Sequence, residues 1–255
     1  VTRFSDMSKA EFKAFLGASK PAGSVSSAEK AAKPYARGAD GLVDWTGIYT
    51  TPVKNQGMCG SCWAFSATEQ VESDAMRTLG QEYILDPQQI VDCADKAYGC
   101  GGGWTEVAYL YIKKAGGLEP EDDYPYVSGK TGRKTECQEN EDDAVVTVNK
   151  FYKIDEGKNT ESAMGDYMES TGPLSVCVDA ESWSSYTGGI MKVCGQEVDH
   201  CVQAVGVDRS GSNPYWIVRN SWGYSWGEQG TIKLAYGDDT CAIASDATYT
   251  SVSLV

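Results

Sequence analysis

The chain has 255 residues, enough for one large domain or for two small lobes around a cleft. Its formal net charge of −14 argues against nucleic acid as a partner, because phosphate recognition needs clustered Lys and Arg. No apolar run is long enough for a membrane-spanning helix, so no membrane partner is expected either.

The chain opens at Val1 rather than at a methionine, so a processed or trimmed polypeptide is expected. "DMSKAEFKAFLGAS" predicts a short helix, with Asp6 or Ser8 at its start and Phe12, Phe15 and Leu16 on one face. Gly17 would end it. The following "KPAGSVSSAEKAAKPYARGAD" has no periodicity and predicts extended or loosely ordered chain, with a boundary near Arg37–Gly41. From Ser61 to Gly80, apolar residues recur at helical spacing, and this places Cys62 in the first turn of a buried helix. "DPQQIVDC", "GWTEVAYLYIKKAGG" and "ESAMGDYMES" predict three more helices. "EPEDD" (119–123) and "ENEDD" (139–143) predict solvated acidic loops. Strands are expected in "AVVTVNKFY", "LSVCVDA", "HCVQAVGV", "YWIVRNS" and "GTIKLAY". A helical first half and a strand-rich second half suggest two lobes with a cleft between them.

Nine cysteines scattered along the chain favour structural disulfides, and the odd count leaves at least one thiol over unless it bridges between chains. Two of them, Cys59 and Cys62, form C-G-S-C, which suits a redox pair, a metal knuckle, or one bridged cysteine beside one free thiolate. A metal site is disfavoured, with His200 the single histidine and no second C-x-x-C. A redox pair leaves Gln56, His200 and Asn220 without a task. These three supply what a nucleophilic Cys62 at a helix N-terminus needs. His200 is the acid–base, Asn220 accepts its far ring N–H, and Trp222 shields that bond from water. The Gln56 amide reaches toward a developing oxyanion, beside the Cys62 backbone N–H.

"PVKNQGMCGSCWAFSA", "LDPQQIVDC", "YGCGGGW", "GPLSVCVDA", "YTGGI", "VDH" and "RNSWGYSWGEQG", in that order, resemble the papain-family cysteine proteases of the cathepsin L type over about Val43–Tyr249. The resemblance implies an α+β, papain-like two-lobe fold. Its N-terminal lobe would be helical and its C-terminal lobe β-barrel-like, with the active-site cleft between. It implies a thiolate–imidazolium pair of Cys62 and His200 that cleaves peptide bonds through an acyl-enzyme, without cofactor or metal. It also implies bridges Cys59–Cys100, Cys93–Cys137 and Cys194–Cys241, and a substrate-binding surface of Gly102, Gly103, Trp104, Cys177, Asp199, Cys201, Trp222 and Asp246. Cys177 and Cys201 remain, on neighbouring strands, and a fourth bridge between them is expected. Asp246 would close the pocket for the second residue before the scissile bond, offering a counter-charge to arginine or lysine. With no exopeptidase-type blocking loop evident, endopeptidase action is expected.

"VTRFSDMSKAEF" resembles the end of this family's inhibitory propeptide, with Phe4 and Asp6 fitting G-x-N-x-F-x-D and Thr2 in place of the Asn. Residues 1–38 are therefore expected to be a propeptide remnant and 39–255 the peptidase domain. The expected partners are peptide substrates and the chain's own propeptide as inhibitor. A monomer in a lysosomal, vacuolar or secreted setting is expected, and the acidic surface suits an acidic compartment.

Overall fold

A computed structural model describes residues 2, 4–20, 29–30 and 41–255. Most of the segment expected to be loosely ordered, and most of the boundary near Arg37–Gly41, lie outside the described residues. In chain order the first elements are helix α1 (Lys9–Leu16) and the short strands β1 (Glu29–Lys30) and β2 (Leu42–Asp44). The helices α2 (Cys62–Leu79), α3 (Gln88–Cys93), α4 (Thr105–Ala115) and α5 (Ser128–Thr131) follow. Then come β3 (Val146–Ile154), α6 (Thr160–Ser170), β4 (Leu174–Val178) and β5 (Ile190–Met191). β6 (His200–Asp208), β7 (Tyr215–Arg219), β8 (Thr231–Ala235) and β9 (Ala247–Leu254) complete the order.

α1 starts at Ser8, whose side chain caps the Glu11 N–H while Glu11 returns the bond to the Ser8 N–H. Gly17 ends it in the left-handed conformation. α2 ends the same way at Gly80, but it is buried over nearly its whole length. Several of its polar residues are therefore paired: Gln70 bonds Asp74, and Glu72 accepts the Leu85 N–H and pairs with Lys54.

The strands form one sheet in the order β1-β3-β9-β4-β6-β7-β8-β5, with β2 added on β6. The second half was expected to be barrel-like. Among the described strands the sheet is not closed, and β1 and β5 stand at its two ends. The reason lies in what β3 and β9 cover. Val146, Val148 and Phe151 of β3 and Val252 of β9 share a core with Val71, Ile90, Tyr109 and Ile112 of the helices. Those strands are drawn over the helical lobe instead of turning back to meet β8. A second core lies around Trp183, Trp216, Trp222 and Leu234. Between the two sits a small cluster of Cys62, Trp104, Val107, Cys177 and Cys201. The acidic run at 119–123 also departs from expectation at one residue. Glu119 is buried, accepting the Asn140 N–H at 2.8 Å and so tying the two acidic runs together.

Candidate active site

Cys62 opens α2, where free N–H groups and the helix dipole favour a negative charge. His200 opens β6, and strand pairing sets it opposite Val178 of β4. Its Nε2 lies 2.8 Å from Asn220 Oδ1, just beyond β7. Asn220 Oδ1 also accepts the Ser221 N–H at 2.8 Å, so it is the acceptor and Nε2 carries the proton. That leaves Nδ1 as the ring nitrogen on the Cys62 side. Trp222 lies against the imidazole with ring centroids 4.9 Å apart, and both side chains are buried. Gln56 is buried as well, its Oε1 accepting from Ser221 Oγ at 2.7 Å. Ser221, which the sequence reading passed over, thus holds both the Asn220 and the Gln56 side chains.

The chain's own N-terminal segment lies across these groups. The Cys62 thiol donates to the Leu16 carbonyl oxygen at 2.6 Å, and His200 Nδ1 is 3.3 Å from the same atom. Gln56 Nε2 donates to the carbonyl of the preceding residue, Phe15, at 3.3 Å. Past Gly17 the segment pairs in parallel with the Gly102–Gly103 turn: Gly103 N–H donates to the Gly17 carbonyl and Ser19 N–H to the Gly103 carbonyl. Ala18 N–H donates to the Asp199 carbonyl at 3.0 Å. A Cβ on Gly103 would stand 2.5 Å from the Trp63 ring, so only glycine brings this backbone within reach of a second chain. On the other side of Leu16, Phe4, Phe12 and Phe15 pack their rings around Trp222.

Burial beneath this segment sets the charge states. It pushes the Cys62 thiol up to about 12, with the Asp199 carboxylate adding to the effect. It also pushes His200 down to about 4, despite the bond to Asn220. The covered site therefore holds a neutral thiol and a neutral imidazole. Asp199, half-buried beside them and accepting the Ala180 N–H, is raised to about 7 by its partial desolvation.

Four bridges are present: Cys59–Cys100, Cys93–Cys137, Cys177–Cys201 and Cys194–Cys241. Cys177 and Cys201 are register partners on β4 and β6, and Cys62 is the free cysteine. C-G-S-C is therefore split between a bridge to Cys100 and a lone thiol. Asp246 is buried beside Trp104, whose indole N–H donates to its Oδ2 at 2.6 Å. The free counter-charge expected there is absent, because Lys153 of β3 already ion-pairs with Oδ1 at 2.8 Å.

The chain matches the papain family cysteine protease domain over residues 41–251. It belongs to the papain family of cysteine proteases. This protease is 38% identical over 266 residues to digestive cysteine proteinase 1 of Homarus americanus, spanning 99% of the chain and 79% of that relative. It is 37% identical over 256 residues to cysteine proteinase 2 of Leishmania pifanoi, spanning 96% of the chain but only 56% of that relative. Digestive procathepsin L2 proteinase from the Tenebrio molitor larval midgut superposes with a TM-score of 0.89 at 31% identity, covering 98% of this chain and 82% of that one. Digestive procathepsin L 3 from the same tissue gives 0.86 at 32% identity, covering 98% and 81%. The protease has the papain-like fold and is a cathepsin L-like peptidase.

Proposed function

We propose that the protein is an endopeptidase made as a zymogen, in which residues 1–38 block a peptidase domain of residues 39–255. The observation that carries this is a single one: Cys62, His200 and Gln56 all converge on consecutive backbone carbonyls, those of Phe15 and Leu16. A site built to receive a peptide backbone is occupied by one.

Once the segment leaves, water re-enters and the pair ionises, each charge stabilising the other. The Cys62 thiolate attacks the scissile carbonyl carbon, and the carbon–oxygen double bond opens to an oxyanion. The Gln56 amide and the Cys62 backbone N–H stabilise that oxyanion. His200 then delivers its Nδ1 proton to the leaving nitrogen, and the carbon–nitrogen bond breaks to give a thioester. A water molecule, deprotonated by the same nitrogen, attacks the thioester carbon, the carbon–sulfur bond breaks to release the acid, and the thiolate–imidazolium pair is restored. Asn220 keeps the imidazole in the required orientation and tautomer throughout. Gly102, Gly103 and the Asp199 carbonyl would pair with the substrate backbone, while Trp104, Cys177, Cys201 and Asp246 would shape a side-chain pocket. Trp222 would serve the leaving-group side.

The segment resists its own enzyme because burial beneath it keeps the pair uncharged. We further propose a monomer acting in an acidic lysosomal or vacuolar compartment, or secreted into one, in keeping with the charge of −14. The test is hydrolysis of a peptide library by the full chain and by a form beginning at Ala39, with an epoxide that labels activated cysteines. The shorter form should cleave internal bonds and take up one equivalent of label at Cys62. No turnover by the shorter form would overturn the reading.

A further inference from the structure

The pocket beside Cys62 contains a charged pair for which the reaction has no use. Ala18, two residues beyond the carbonyl that meets Cys62, packs against Trp104, Val107, Cys177 and Cys201. The Trp104 indole N–H holds one oxygen of Asp246, and Lys153 Nζ holds the other at 2.8 Å. The Asp246 side chain is 2% exposed and that of Lys153 25%, so the cation enters from outside while the carboxylate belongs to the interior. Pairing on the sheet makes this reach possible. Lys153 stands opposite Thr248 on β9, two residues along from Asp246. Two further groups face the pair: Glu106, buried in the first turn of α4 and pushed up to about 7 by that burial so that it is uncharged in acid, and Lys20, whose ammonium lies 5.3 Å above the Trp104 ring. Lys20 belongs to the covering segment and departs with it. Lys153 does not.

A bare Asp246 would be costly in this setting, and it would draw a guest cation strongly at low dielectric. With Lys153 in place the charge is already matched. A guanidinium arriving at the same oxygens would meet a like charge, whereas an apolar side chain displaces nothing. We propose that Lys153 sets the side-chain preference of this pocket, keeping its floor neutral so that an apolar residue is selected over arginine or lysine. This rests on the reading of the pocket as a substrate subsite. Lys153 is then a positioning residue that acts through Asp246, and loss of it converts the pocket to one that admits basic residues.

The test uses the form beginning at Ala39 and two peptides that differ only in leucine or arginine at the second residue before the scissile bond. The parent should prefer leucine. Lys153→Met should raise the arginine-to-leucine ratio of kcat/KM by roughly tenfold or more, mainly through a lower KM for the arginine peptide. Lys153→Arg should keep the parental ratio. Adding Asp246→Asn, which retains an acceptor for the Trp104 indole, should cancel the gain. Ratios taken on one preparation are insensitive to a partly unfolded fraction, and Lys153→Gln is scored the same way if Lys153→Met does not fold. A parental ratio in both variants overturns the proposal, as does a gain that survives Asp246→Asn. A parent that cleaves neither peptide overturns the functional reading itself.

Discussion

One proton, moved from Cys62 to His200, separates the covered site from a working one. With its thiol held near 12, Cys62 is only about a thousandth ionised at pH 9, and the thiolate is the reactive species. Iodoacetamide should therefore modify Cys62 in the full chain roughly a thousandfold more slowly than in the form beginning at Ala39. Comparable rates would mean that burial beneath the segment does not suppress ionisation. In the uncovered enzyme, kcat/KM should follow a bell. Its acid limb marks protonation of the thiolate and its alkaline limb loss of the imidazolium proton, and both limbs belong to the pair. Gln56→Ala should lower kcat by roughly a hundred- to a thousandfold, with a smaller change in KM, in steady-state assays. Cys62, His200, Asn220 and Gln56 were legible because their residue types and order define their chemistry. Ser221 and Lys153 were not. Each acts through a partner that only the folded chain brings near, and a serine or a strand lysine carries no signal of that in the sequence.

Helix α1 is held at both ends by features that can be altered one at a time. Ser8→Ala removes the cap and should cost the helix about 1 kcal/mol, or roughly fivefold in the bound population of the segment. Gly17 has φ +79, and a Cβ there would lie 2.4 Å from the Gly60 carbonyl oxygen, so Gly17→Ala should release the segment more fully. Background hydrolysis by the full-length variants measures both effects, and unchanged background would argue against a blocking role. Acid acts on the same cap. The Glu11 carboxylate is held below its ordinary value by the Ser8 side chain and backbone. Its contribution is thus complete above the ordinary carboxylate value and is lost as pH falls through the lowered one. α1, α2 and α4 could be placed from periodicity and their terminal glycines. β9 could not, because "ATYTSVSL" is largely Ser and Thr and becomes a central strand only through its neighbours β3 and β4.

For the molecule as a whole, the four bridges make a counting experiment possible. Alkylation of the denatured, unreduced protein should add one adduct, and prior reduction should raise the number to nine. Three adducts without reduction would mean that Cys177 and Cys201 are not joined. Replacing both with Ala should lower stability by about 2–4 kcal/mol, seen as a fall in Tm. The two cores meet at the cluster that contains Cys62, so a loss there is felt by both. This also explains why a division into a helical half and a strand half captured the elements but not their arrangement. Glu119 and the β3–β9 pair each bind one region to another, and such ties have no local pattern.

The position of β9 has a consequence for biosynthesis. It is inserted between β3 and β4, two strands made well before it, and it packs on α2, which carries Cys62. A ribosome must therefore translate Cys62, His200 and Asn220 and still go on to β9 before those residues share one rigid frame. α1 leaves the exit tunnel long before any of them. If the segment blocks the site as proposed, the nascent polypeptide would thus carry its guard before it has anything to guard against.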